Sequence, residues 1–420
     1  MTKPLRVIVI GLGSAGDVHP NVGLALGLQR RGHRVLLVAP SLFRSLAERT
    51  GLEFAGLLND EAWHDIVRDP NLWHPVRSFS VVARRLIVPM MRPIYEIIEK
   101  NRETGRTVVA ASGITFGARF AQEKLGVRLA TVHMQPAMLR SAIRPACFGF
   151  PDIPKSLPRP LRRAYFRAVD GLIIDPLLAG EANRFRAELG LPPVKRFLDR
   201  WAHSPELVIG LFPEWFAPAQ PDWPPKVVLT GFPLWDEKEV RDPAPGLAEF
   251  LAAGERPIVF TAGSGMAQAK WFFRVSAEVC RASGRRGLLL TQFPEQIETP
   301  LPEGVRHFDY VPFGTLLPRA AALVHLGGIG TASQAIAAGI PQLIVPTAHD
   351  QPDNAVRIRS LGLGDYLLPR EYTPARAVRR LERLADARVG LECRRRAEEM
   401  EGCHPLETTC DRIEELGTAG

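Results

Sequence analysis

The 420-residue chain has little cysteine: five residues, an odd number, with no C-x-x-C pair among them. A disulfide framework is therefore not expected, and Cys403, His404 and Cys410, although neighbours in sequence, lack the spacing of a zinc site. No run of eighteen apolar residues occurs, which excludes a helix built to span a bilayer. The first residues, MTKPLRVIVIGLG, lead straight into a strand and not into a cleavable leader, so a cytoplasmic location is expected. Low-complexity tracts and short repeats are missing too. Charge is only weakly biased. The net +8, from 53 basic and 45 acidic residues, suits anionic small molecules or membrane surfaces and does not by itself indicate nucleic acid. With 46% hydrophobic and 23% charged residues, the composition is that of a globular protein, and the length suits two domains of roughly 200 residues.

The stretch LVHLGGIGTASQAIAAGIPQLIVPTAHDQPDN, Leu323 to Asn354, carries the densest information. It reads as an apolar strand (Ala322 to Leu326), a glycine turn (Gly327, Gly328, Gly330), a small-residue helix from Thr331, a Gly-Pro break, a second strand and a polar loop. Glycines let backbone amides approach a ligand, and a helix start aims its unpaired N–H groups and positive dipole end at the same point. Both suit a phosphate. The second strand delivers Asp350 and Gln351 to the same sheet edge, where acceptor and donor groups can grip hydroxyls. A diphosphate joined to a sugar needs both features.

The amino-terminal segment opens as strand (Leu5 to Ile10), glycine turn, helix and strand, and Gly11, Gly13 and Gly16 satisfy G-x-G-x-x-G. A dinucleotide reading would require an acidic side chain at the end of the second strand. That strand ends in Val38, Ala39 and Pro40, so the glycines are weak support for a nicotinamide cofactor.

From Glu61 to Lys100 the pattern loosens, and Trp63, Trp73, Phe79, Met90 and Met91 either line a pocket for an apolar acceptor or cap the core. A strand ending at Val132 brings His133 to the edge that carries Asp17. In KSLPRPLRRAYFR, Lys155, Arg159, Arg162, Arg163 and Arg167 alternate with Leu161, Tyr165 and Phe166. This is either a solvated basic helix or a surface for a membrane or an acidic acceptor. The Pro-rich passage from Leu211 to Glu237 precludes a helix and reads as a connector. Strands and helices alternate on both sides of it, which predicts an α/β protein with two parallel sheets facing across a cleft. The expected divisions are an acceptor-binding domain over 1–212, a connector over 213–236, a nucleotide-sugar domain over 237–402, and a final helix, 403–420, crossing back onto the first domain.

The motifs GGIGT, AAGIPQLIVP and HDQPDN resemble the signature of the UDP-glycosyltransferase-like family, and GSAGDVHP resembles the GDVxP motif of its sterol and antibiotic members. Further stretches, among them NLWHPVRSF, LFPEWFAPAQPDWP and TGFPLWD, are most similar to the group of bacterial rhamnosyltransferases whose members build rhamnolipids. The resemblance spans nearly the whole sequence. It implies the GT-B fold of two Rossmann-like domains and an inverting, metal-independent transfer of rhamnose or another hexose from a nucleoside diphosphate, UDP or dTDP, to a hydroxyl on an apolar or lipid-like acceptor. Alternatives are a glucosyltransferase acting on small aromatic or polyketide products, and a nucleotide-sugar-binding protein without turnover. No cofactor is implied, and the missing D-x-D agrees with catalysis without a metal.

By the same resemblance Asp17, three residues before Pro20, is the expected base. His19 is the second candidate, since its ordinary pKa lies near neutrality. Ser264 with the amides of Gly328, Ile329, Gly330 and Thr331 would hold the diphosphate. Tyr310 would stack on the nucleobase, with Val311 offering backbone hydrogen bonds. Gln334 stands where relatives carry a Glu for both ribose hydroxyls, which favours thymidine over uridine. Asp350 and Gln351 match the pair that binds the sugar hydroxyls. Trp63, Phe79, Met90 and His133 are the expected acceptor contacts. One departure concerns the His that normally precedes the two glycines. Here that position is Leu326, with His325 one place earlier, and adjacent side chains of a strand face opposite ways, so His325 cannot replace it.

Overall fold

The computed structural model describes residues 3–149, 153 and 156–418. The runs RVIVI, TVVAA and IVFT are apolar at nearly every position, as strands buried on both faces must be, and they occupy the middle of two all-parallel sheets. The first sheet contains β1 (Arg6–Ile10), β2 (Arg34–Ala39), β3 (Glu53–Gly56), β4 (Thr107–Ala111), β5 (Arg128–His133), β6 (Leu207–Gly210) and β7 (Val227–Leu229), in the order β3-β2-β1-β4-β5-β6-β7. The second contains β8 (Ile258–Thr261), β9 (Gly287–Leu290), β10 (Val305–Phe308), β11 (Ala322–His325), β12 (Gln342–Ile344) and β13 (Gly364–Tyr366), in the order β10-β9-β8-β11-β12-β13.

Period-two alternation sends Val7 and Val9 into one core and Ile8 and Ile10 into the other. The first core is closed by Val18, Val22 and Leu28 of the helix Ala15–Arg30, the second by Met91, Ile94 and Ile98 of the helix Val88–Asn101. The second domain repeats the scheme, with Phe260 and Val324 on one face and Val259 and Leu323 on the other. In each sheet the strand order reverses next to the first strand, between β1 and β4 and between β8 and β11. Open α/β sheets bind ligands in the crevice at such reversals.

Residues 213–236 are not wholly a connector. Val227–Leu229 forms β7 at the edge of the first sheet, paired with Val208–Gly210, because three β-branched or aliphatic residues after Pro224 and Pro225 meet an open edge. The helix expected from Thr331 begins at Ile329. The helix Pro405–Thr418 lies on the first domain: Arg31 bonds Asp411 and Glu414, His33 bonds Glu414 at 2.8 Å, and Arg128 donates to the Leu416 carbonyl. A β-carbon at Gly27 would come within 2.9 Å of Cys410 Sγ, so the small residue permits that close approach.

Candidate active site

The backbone leaving β1 turns through Gly11, Leu12 and Gly13 before the helix Ala15–Arg30 begins. Gly13 has φ +143°, and a β-carbon there would overlap the Asp17 carboxylate, so this position is closed to other residues on two counts. The carboxylate folds back to accept from Ser14 N–H at 3.0 Å, closing a capping box, while Asn21 Nδ2 holds the Asp17 carbonyl at 2.7 Å. Burial raises the Asp17 pKa to about 7, with the negative charge of Asp350 adding to it and the Ser14 hydrogen bond opposing it. A carboxylate poised there accepts protons efficiently near neutral pH.

The opposing wall belongs to the second domain. Gly327 has φ +102°, Gly328 caps the helix Ile329–Ala337, and a β-carbon on Gly328 would meet nothing within 4 Å. Gly328 has no side chain with which to cap the helix, and the first amide, Ile329 N–H, donates instead to the Asp350 carboxylate. Of the amides expected at a diphosphate, that of Ile329 is therefore already taken, while the space over Gly328 is open. His325 explains the shape of the bend. Its Nδ1 accepts from Gly327 N–H at 3.1 Å, which puts the proton on Nε2, 3.0 Å from Gln342 Oε1. Burial lowers the His325 pKa to about 4, so the ring stays neutral and acts as a bracket. Leu326 lies in the core beneath the bend. Asn354 ties the polar loop to the same bend, donating to the Gly327 carbonyl at 2.9 Å and to Asp350 Oδ2 at 2.7 Å. Burial raises the Asp350 pKa to about 6, against the pull of the hydrogen bonds from Asn354 and from the Asp350 and Ile329 amides.

The two walls touch. Ala15 N–H donates to Ser264 Oγ at 3.2 Å, and a β-carbon at Gly330 would lie 3.7 Å from Gly16 Cα, so two helix starts meet across the seam. Around them run further cross-domain bonds: Trp73 Nε1 to the Gly265 carbonyl, Gln268 Nε2 to the Val67 carbonyl, His349 Nε2 with the Leu72 carbonyl at 2.9 Å, and Cys147 N–H to Asp353 Oδ1. His349 sits at φ +60° and packs edge-on against Trp73, a left-handed conformation that a non-glycine residue keeps only when its surroundings hold it. Neither the clasp role of Trp73 nor that of His349 is visible in sequence, because both depend on contacts between domains.

Several sequence expectations change here. His19 turns away from Asp17's side of the helix: its Nε2 is 3.0 Å from Glu237 Oε1 and its ring packs edge-on against Trp235, Phe43 and Tyr310. Burial pushes the Glu237 carboxyl up, but His19, Arg241 and Arg49 outweigh it and hold it below its ordinary value. Tyr310 donates its hydroxyl to the Asp236 carbonyl, and Arg241 covers its ring at 4.2 Å, so a stacking base must share or displace that cover. Val311 is buried beside it. Gln334 donates to the Leu234 carbonyl at 3.0 Å, and Gln351 Oε1 accepts from Thr347 and Ala348 of its own loop. Each therefore has only the other end of its amide left for a ligand.

The acceptor contacts fare differently. Met90 lies inside the first domain's core with Leu86, Ile87 and Ile94. His133 is 1% exposed, its Nε2 is 3.1 Å from His203 Nδ1, and burial drives its pKa well down. Neither presents a surface to an acceptor, since each sits where a buried strand or helix face needs filling. Trp63 is also buried, whereas Phe79 is half-buried against the same core. Among the described residues no group of three or more His, Cys, Asp or Glu is placed to hold a metal ion, and no helix is long and apolar enough to cross a membrane.

Comparison with known proteins assigns this architecture. Residues 7–143 match the model of the glycosyltransferase family 28 N-terminal domain, and residues 290–414 that of the erythromycin biosynthesis protein CIII-like C-terminal domain. The chain is 30% identical to O-mycaminosyltylonolide 6-deoxyallosyltransferase of Streptomyces fradiae, an alignment covering 98% of this chain and 97% of the relative. In structure it is similar to the glycotransferase of kitacinnamycin, with TM-score 0.74 and 20% identity over 99% of this chain and 100% of that one. It is also similar to the spinosyn rhamnosyltransferase SpnG complexed with thymidine diphosphate, with TM-score 0.66 and 20% identity over 96% and 99%. The fold and site define a GT-B glycosyltransferase, and the chain belongs to that family, with a family 28 amino-terminal and an erythromycin CIII-like carboxy-terminal domain.

Proposed function

We propose that this glycosyltransferase moves a hexose, rhamnose or a similar deoxysugar, from a nucleoside diphosphate to a hydroxyl of an apolar, lipid-like acceptor, with inversion at the anomeric carbon. The observation that carries the reading is the buried Asp17 carboxylate on a helix start that meets, across the seam, the glycine bend and helix start at Gly328, with burial and Asp350 raising the Asp17 pKa to about 7. Asp17 takes the acceptor's hydroxyl proton as that oxygen attacks the anomeric carbon. The bond from that carbon to the diphosphate oxygen breaks on the opposite face, and its electron pair leaves with the diphosphate. The amides of Gly330 and Thr331 and the helix dipole meet the growing charge, with Ser264 alongside. Asp350, and the amide nitrogen left free on Gln351, hold sugar hydroxyls.

Thymidine diphosphate is the favoured donor, because Gln334 commits its nitrogen to Leu234 and leaves one acceptor oxygen for a ribose with a single free hydroxyl. The solved complex of SpnG with thymidine diphosphate supports this choice. A second acceptor class, hydroxylated polyketide products, is favoured by the name of the Streptomyces fradiae relative. The test is a mass-spectrometric screen of purified protein with dTDP-rhamnose, UDP-glucose and UDP-GlcNAc against hydroxy-lipid, macrolactone and phenolic acceptors, with and without EDTA. Transfer unaffected by EDTA is expected. Donor binding with no transfer to any acceptor would make the protein a binder, and a hundredfold preference for UDP-sugars would discard the thymidine assignment.

A further inference from the structure

A cavity of about 810 Å³ opens on the first domain, lined by Arg119, Arg140, Arg163, Arg167, Arg196 and Arg200 and by Asp170, Asp199 and Asp222. His203, the buried partner of His133, belongs to this lining, whereas Asp17, Ser264, Asp350 and the glycine bend do not. Its acids are all engaged: Asp170 accepts from Arg140 through both oxygens, Asp199 pairs with Arg196, and Asp222 accepts from Ser141 Oγ and Ala142 N–H. Arg119 is held by Glu123 and the Trp201 carbonyl. That leaves Arg163, Arg167 and Arg200 with no ion-pair or side-chain hydrogen-bond partner among the described residues, three like charges facing one space. Two more donors point to a missing acceptor, since Trp223 Nε1 and Arg196 Nε are buried without any hydrogen-bond partner. Between the charges the wall is apolar, from Phe166, Trp223, Pro205 and Pro224.

We infer that this cavity binds an amphipathic anion, a carboxylate or phosphate carried on an apolar body. Arginine forks match the planar oxygens of such a head group, and the aromatic and proline wall receives its tail. Of the basic run noted in the sequence, Arg163 and Arg167 serve this site. Arg162 is buried and donates to the Ala142 and Ile143 carbonyls, Phe166 forms wall, and Lys155 lies outside the described residues. The same Ala142 donates to Asp222, and the loop it belongs to reaches Asp353 of the donor-side helix through Cys147 N–H. The site stands on its own geometry and does not rest on the proposed acceptor.

Isothermal titration of the full-length protein with decanoate, decanol and inorganic phosphate tests it, all below micellar concentration. Saturable one-to-one binding of decanoate is expected, at least tenfold tighter than decanol or phosphate and weakened by added salt. Arg163→Gln/Arg167→Gln/Arg200→Gln should weaken it tenfold or more with unchanged circular dichroism and Tm. Trp223→Phe, which removes one donor and keeps an aromatic ring, should weaken it about threefold. A parallel arm measures sedimentation with phosphatidylglycerol and phosphatidylcholine vesicles, because Leu161, Tyr165, Leu172 and Ile173 are exposed on the helical segments carrying Arg163 and Arg167. Binding to anionic vesicles with no uptake of monomeric decanoate would overturn the cavity in favour of a membrane face. Equal affinity for decanol, or a triple variant that binds like the parent, would overturn it as well.

Discussion

The two domains present one backbone device, strand, glycine turn and helix start, and use it in opposite ways. In the first, Asp17 folds over Gly13 and caps its own helix, so the anion position is filled from within the same segment. In the second, Gly328 starts a helix with open space beside it and no side chain of its own, and the carboxylate at its first amide, Asp350 on Ile329 N–H, arrives from a separate loop. A turn that supplies its own carboxylate repels a phosphate and offers a base, whereas a turn that borrows one from a distant loop for its first amide leaves the later amides to an anion. The G-x-G-x-x-G spacing at Gly11 therefore fails as a dinucleotide cradle for a local steric and electrostatic reason.

The comparison breaks most severely at Asp17. Asp17→Asn removes the base and should lower kcat by about 10²–10⁴-fold while donor Kd, measured by titration with dTDP, moves less than threefold. It should also stabilise the fold in a pH-dependent way. Because the folded pKa is raised, the unfolded protein releases this proton first, and stability falls as pH climbs from about 4 to about 7. The variant should match the parent near pH 4 and exceed it at pH 8, by at most about 4 kcal/mol in denaturant melts.

Adding a methyl group to each turn separates structure from function. Gly13→Ala meets both a positive φ and the Asp17 carboxylate, and should cost more than about 1 kcal/mol along with most of the activity. Gly328→Ala has φ −58° and free space, so its Tm should stay within about 2 °C while donor KM rises about tenfold or more. The opposite pattern would reverse the roles assigned to the two turns.

A finer test sharpens the coupling across the cleft. In the parent, kcat/KM should rise with pH to a plateau with a midpoint near 7, as Asp17 loses its proton. Asp350→Asn removes the facing charge and should lower that midpoint by about half a pH unit or more, read by carbon-13 titration of Asp17 if turnover is too slow. Smallest of all, Gln334→Glu should shift donor preference toward UDP-sugars by a few-fold. It also gives up the bond to Leu234, worth about 1 kcal/mol of stability.

Most of the fold was legible because central strands such as Arg6–Ile10 and Ala322–His325 announce burial by composition. The strands Glu53–Gly56 and Val227–Leu229 were not, since one is short and half-exposed and the other hides among prolines. The glycine bend and the helix start behind it were readable to within two residues, whereas the acceptor side was not. Met90 and His133 have the residue types of pocket linings, and only packing shows them filled in by neighbours. His19 looks the better-tuned base in sequence, yet Glu237 and Trp235, from beyond the first sheet, claim its imidazole.

By itself the sequence determined what short-range sterics and periodicity control: the parallel strands, the positions where only glycine fits, and the helix start that can receive an anion. Tertiary structure alone decided which ionisable groups are usable. A carboxylate's proton affinity depends on how much water is removed from it and on charges brought near through space, and those come from residues hundreds of positions away.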